Sequence, residues 1–126
     1  MKRLALAFSV LLILILYTFF SEKYVLTFCN NIDNLLHDCA SLITDEKYSQ
    51  AESSVSKLYD TWEKSDEFLS IIVGDDTVRE PQKTIVSIKL SFEDKNYEEC
   101  LITIRECQGY IHEIAESNRT NLYNLL

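Results

Sequence analysis

Residues 4–44 read LALAFSVLLILILYTFFSEKYVLTFCNNIDNLLHDCASLIT, a stretch with neither glycine nor proline. Its first part, Leu4 to Phe20, is apolar without a single charge and comes directly after Met1-Lys2-Arg3. In hydrocarbon each backbone N–H and C=O must be satisfied within the segment, so such a run crosses a bilayer only as a helix. At about 1.5 Å per residue it covers roughly 25 Å, slightly less than the roughly 30 Å hydrocarbon thickness, and Tyr24, Val25 and Leu26 can extend it. Tyr17, Phe19, Phe20 and Tyr24 then fall near one headgroup boundary, where aromatic rings are favoured. Lys2 and Arg3 precede the run and Ser21-Glu22-Lys23 come after it, which predicts a cytoplasmic N-terminus and an exported remainder.

A cleaved secretory signal shares the charged start and apolar core. Cleavage requires small residues after the core, whereas the exit here is Tyr17-Thr18-Phe19-Phe20-Ser21-Glu22, so the reading is an uncleaved anchor. Lipid modification at Cys29 is disfavoured by its distance from the core and by bulky Phe28 before it.

Nothing between Phe20 and Tyr24 breaks a helix, and from there Tyr24, Phe28, Ile32, Leu35, Cys39 and Leu42 recur at steps of three and four. That spacing forms an apolar stripe, with Asn30, Asp33, Asn34 and Asp38 opposite. The membrane helix is therefore expected to continue, without a hinge, as the first helix of a soluble domain. After Thr44-Asp45-Glu46 a second stripe runs through Tyr48, Ala51, Val55, Leu58, Trp62, Leu69 and Ile72, interrupted only by Ser65. Asp45 is its expected N-cap. Gly74 marks the clearest break, Asp75, Asp76 or Thr77 is expected to cap the third helix, and Pro81 is expected near that helix's first turn. Val78, Pro81, Ile85, Ile88 and Phe92 form the third stripe, and Tyr97, Cys100, Leu101, Ile104, Cys107, Ile111 and Ile114 the fourth. The expectation is an all-α chain: a membrane anchor over 1–21, continuous with a four-helix up-down bundle over 22–117, and a frayed tail over 118–126.

Two joints resemble each other. Asp45-Glu46-Lys47-Tyr48-Ser49-Gln50-Ala51 aligns with Asp94-Lys95-Asn96-Tyr97-Glu98-Glu99-Cys100, and the same offset carries Val55 to Ile104, Leu58 to Cys107 and Trp62 to Ile111. The chain thus reads as two helical hairpins, each with an acidic turn, an aromatic and then a small residue that lets helices approach. The second-helix start DKNYEEC is similar to that of tetratricopeptide repeats, but the offset exceeds the roughly 34 residues of that repeat. The Trp and Leu-Gly pattern of its first helix is also missing.

The Lys/Arg-led span, the helix continuous with it, the central Trp62-Glu63-Lys64 and the last helix beginning Asp94-Lys95-Asn96-Tyr97 together resemble a family of small membrane-anchored helical proteins of Firmicutes, catalogued as domain of unknown function, family 4363. The resemblance implies fold and topology and brings no activity, cofactor or catalytic residue. Asn118-Arg119-Thr120 fits an N-glycosylation pattern, idle in a bacterial setting.

The chain carries 20 acidic against 12 basic residues, and without Lys2 and Arg3 the exported part has 20 against 10, a formal charge of −10. Such a surface repels nucleic acid and anionic headgroups. Cys29 and Cys39 lie on the first helix, Cys100 and Cys107 on the fourth; in an antiparallel pair Cys29 faces Cys107 and Cys39 faces Cys100. Structural disulfides, buried free thiols and, more remotely, zinc are the readings that stand, with no C-x-x-C pair for the last. His37 and His112, beside Asp38 and Glu113, read as surface or boundary histidines rather than as a metal or acid/base pair. With two glycines, one proline and no phosphate loop or nucleophile elbow, the chain offers little loop on which to build catalysis, and no cofactor is expected.

The functional expectation is a membrane-anchored, extracytoplasmic interaction or scaffold module, not an enzyme. It would bind another membrane or envelope protein through a groove lined by Tyr48, Tyr59, Trp62 or Tyr97. The alternative is a domain that holds a small ligand between its helices.

Overall fold

The computed structural model describes the backbone of residues 1–125 and the side chains through residue 119. Four helices succeed one another: α1 (Lys2–Thr44), α2 (Tyr48–Val73), α3 (Asp75–Glu93) and α4 (Tyr97–Leu125). Each packs against its neighbours in sequence, and α1 against α4 closes the ring. The result is an up-down four-helix bundle, as the stripes and short connections require.

α1 has two environments. Its first half is long and apolar enough to cross a membrane, and none of that apolar window is covered by the rest of the chain. From Val25 onward the same helix enters the core through Phe28, Cys29, Ile32, Leu36, Cys39 and Ile43. Val25, fully buried, therefore belongs to the bundle and does not extend the lipid-facing run as the sequence suggests. The core line also sits slightly to one side of the expected stripe: Leu36 and Ile43 are buried while Leu35 and Leu42 are half-buried. Two partner helices, α2 and α4, widen the apolar face and recentre it.

The α1–α2 and α3–α4 turns are copies of one another. After α1 the Glu46 N–H donates to the Ile43 carbonyl and the Lys47 N–H to the Leu42 carbonyl; after α3 Lys95 donates to Phe92 and Asn96 to Ser91. This is the paired 5→2 and 6→1 pattern that satisfies free carbonyls at a helix end, with the residue past the cap left-handed. Here that residue is not glycine but Glu46 (φ 60°) in one turn and Lys95 (φ 59°) in the other. Asp45 and Asp94 accordingly cap the ends of α1 and α3 instead of starting α2 and α4. Lys47 is the N-cap of α2, without a side-chain bond. At α4 it is Asn96 whose Oδ1 accepts from the Glu99 N–H at 3.4 Å.

The α2–α3 connection is the single residue Gly74, at φ 97° and ψ 148°, a region open essentially to glycine alone. A one-residue link leaves no room for a capping side chain, and Asp75, Asp76 and Thr77 lie within α3 with no such bond. For the same reason Pro81 is the seventh residue of α3 and not in its first turn. Proline there forfeits one intrahelical bond, and its ring is fully buried in compensation. α4 runs to Leu125, so residues 118–125 of the expected tail continue that helix. The Asn118 Nδ2 donates to the Glu22 carbonyl at 3.4 Å and brings that end beside the start of the buried half of α1.

Candidate functional site

The internal repeat brings its two tyrosines together. Tyr48 and Tyr97, equivalent in the two hairpins, stack with ring centroids 4.1 Å apart and planes 13° from parallel. Phe92 meets the Tyr97 ring edge-on at 5.6 Å. Behind each tyrosine the small residue one turn on, Ala51 or Cys100, is fully buried, so the helices approach there and the rings are displaced outward. Partial burial, then the Glu46 carboxylate and Tyr97, hold the Tyr48 hydroxyl above its ordinary value.

Beside the stack an open groove of about 570 Å³ runs between α2 and α3, floored by Val55, Tyr59 and Phe92. Lys89 spans it with its Nζ 4.1 Å from the centre of the Tyr59 ring, a cation over an aromatic face. Glu52, Asp60, Glu93 and Lys95 edge it with charges of both signs. Three of the four aromatic residues singled out in the sequence, Tyr48, Tyr59 and Tyr97, therefore line one concavity. The fourth does not: Trp62 is fully buried. Its ring lies 5.8 Å from that of Phe28, and its indole N–H donates to Gln82 Oε1, whose amide in turn donates to Glu63 Oε1 at 3.2 Å. Lys89 and Phe92 are groove residues that the sequence does not signal. A cation one turn from an exposed face of α3 is indistinguishable in sequence from an ordinary solvated lysine.

The cysteines form a seam on the other side of the bundle. All four are buried free thiols. Burial pushes Cys29 and Cys107 up to about 11 and Cys39 up to about 12, and raises Cys100 as well. Nearby groups raise three of them slightly further, Cys100 and Asp38 acting on Cys39, and Asp33 on both Cys29 and Cys107. On the α3 side the Cys100 Sγ donates to the Ile88 carbonyl at 3.6 Å, and the Ser91 and Thr84 hydroxyls lie beside Cys100 and Cys107 and partly offset the rise of each. Both hydroxyls are buried, and each donates its one proton to a carbonyl of its own helix, Thr84 to Pro81 at 2.7 Å and Ser91 to Ile88 at 3.2 Å. Among the described residues no group of three or more His, Cys, Asp or Glu is placed to hold a metal ion. His37 and His112 are both exposed.

The family model that matches the chain is described as a domain of unknown function, DUF4363, and covers residues 19–125. That span begins at the junction between the exposed apolar segment and the bundle and takes in the whole bundle. No curated protein and no solved structure matches.

Proposed function

We propose that this chain, which belongs to the DUF4363 family, is a single-span membrane protein whose bundle stands outside the cytoplasmic membrane and serves as a non-catalytic interaction or scaffold module. The observation that carries the reading is the division of α1. One unbroken helix has an apolar half that the rest of the chain leaves uncovered and a half that supplies one wall of the core. An apolar surface of that extent in water would drive aggregation, and a bilayer is the environment that covers it. Lys2 and Arg3 before the span orient it with the N-terminus in the cytoplasm.

The partner site is the Tyr48, Tyr59 and Tyr97 groove. It is open along the bundle, offers flat aromatic faces at low entropic cost, and has charges of both signs at its edge. Those features suit an extended or helical segment of another membrane or envelope protein. A ligand held between the helices would instead need space within the core, where Trp62, Ile32, Leu36, Leu58 and Ile104 already pack.

Photocrosslinking in intact cells tests this. A benzophenone side chain in place of Ser56, in the groove, is compared with one in place of Asp38, on the outer face of α1. One recurrent envelope protein joined from position 56, absent from position 38 and lost on adding Tyr97→Ser, supports the reading. Equal or absent adducts from both positions refute it.

A further inference from the structure

The levels of the helices can be counted from the distal α1–α2 turn. From Glu46, Tyr24 lies 22 residues back along α1 and Phe68 lies 22 residues on along α2. Their rings meet at 4.9 Å, edge to face, as that count requires of two antiparallel helices with equal rise. The Asn118–Glu22 bond fixes α4 at the same level. On this scale Ile71 stands level with Ser21, and Gly74, at the α2–α3 turn, stands level with Thr18. The α2–α3 end of the bundle thus reaches down beside the last turn of the apolar segment Leu4–Phe20. That segment spans only roughly 25 Å, so a bilayer has to cover nearly all of it.

At this end two large apolar side chains point outward, one of them, Ile71, beside the carboxylates of Glu63, Asp66, Glu67 and Asp75. Phe68 is 51% and Ile71 71% exposed, in a domain whose other large apolar groups are mostly inside. Because α1 carries no glycine or proline between the apolar segment and the core, the bundle has no hinge on which to lift away. We infer that Phe68 and Ile71 form a second membrane contact, seated in the headgroup layer beside Tyr17, Phe19, Phe20 and Tyr24, which holds the bundle upright on the bilayer. The inference rests on the anchored reading proposed above. Glu67, Asp75 and Asp76 flank the contact and are exposed. They require water, which limits the depth to the headgroup region, and they favour zwitterionic over anionic lipid.

The test uses the whole chain reconstituted in phosphatidylcholine vesicles, with and without lipid brominated near the top of the acyl chains. Three variants each add one tryptophan: Ile71→Trp at the contact, Phe19→Trp in the anchor and Lys57→Trp on the distal half of α2. The parent, whose own Trp62 is buried, supplies the background, and far-UV circular dichroism confirms that each variant is folded. Quenching of the added fluorescence at positions 19 and 71, with position 57 unquenched, is the expected result. If position 71 behaves like position 57 while position 19 is quenched, the second contact is overturned and the anchor stands. If position 19 is also unquenched, the anchored reading fails and the contact fails with it.

Discussion

Replacing Trp62 by alanine separates a core anchor from a groove residue. The indole is fully buried, lies against Phe28 and donates to Gln82. Truncating a buried Trp to Ala costs about 3–5 kcal/mol through lost transfer energy and the cavity left behind. Trp62→Phe keeps one ring in place but loses the donor, about 1 kcal/mol, and some two methylene equivalents of buried carbon at about 0.8 kcal/mol each. It should cost about 2–3 kcal/mol in all. Small domains hold only about 5–15 kcal/mol in total, so the alanine variant should lose a large share of its stability. The assay is urea unfolding of the whole chain in lipid nanodiscs, monitored by circular dichroism at a helix wavelength, with the slope expected to stay constant while the midpoint falls. An alanine variant within about 0.5 kcal/mol of the parent, the range of ordinary exposed positions, would refute the placement of Trp62 in the core.

Glu46→Gly and Lys95→Gly each remove a left-handed side chain, worth roughly 1–2 kcal/mol, against a glycine entropy cost of roughly 0.5–1 kcal/mol. Each should gain about 0.5–1 kcal/mol in the same unfolding assay, and a loss would contradict the turn geometry. A double-mutant cycle of Tyr48→Leu and Tyr97→Leu should show a coupling of about 0.5–1.5 kcal/mol from the stacked rings, and zero coupling would contradict the stack. In the reduced protein the folded-state thiols of Cys29, Cys39 and Cys107 lie at about 11, 12 and 11 against an ordinary 9.0. The unfolded chain therefore releases its thiol protons first, and the stability they contribute, complete below pH 9, should fall between pH 9 and about 12. A fall that disappears in a quadruple Cys→Ala variant confirms this, while a fall unchanged in that variant contradicts it. Iodoacetamide should leave all four native thiols unlabelled and label them after unfolding.

The fold is legible in the sequence because its determinants are local. Three-four spacing, the absence of breakers from Leu4 to Thr44, and Gly74 are each read from a few consecutive residues. The repeat of Asp45–Ala51 at Asp94–Cys100 is as local, and it points to the two hairpins. Its chemistry is not legible: both aspartates close the preceding helix, because a Schellman turn and an N-cap place acidic and polar residues within two positions of each other. Pro81 defeats a sequence reading because its cost inside a helix is general while the burial that offsets it depends on packing. Of the groove, Tyr48, Tyr59 and Tyr97 are legible as a pattern of aromatics, and Trp62 is not separable from them. Whether an aromatic on an amphipathic stripe points to the centre or the edge turns on a rotation of a few tens of degrees about the helix axis. Only the neighbouring helices set that. The bond from the Cys100 thiol to the Ile88 carbonyl is equally invisible, since it depends on the vertical register of α3 against α4.

The central claim is that α1 is one intact helix carried from the bilayer into the core. Its most direct test is alkaline carbonate extraction of membranes from cells that make the protein, with peptide mass spectrometry of pellet and supernatant. The account predicts the chain in the pellet with Leu4–Phe20 still attached to the bundle. A chain released to the supernatant, or one in which the first twenty or so residues have been removed, would contradict it.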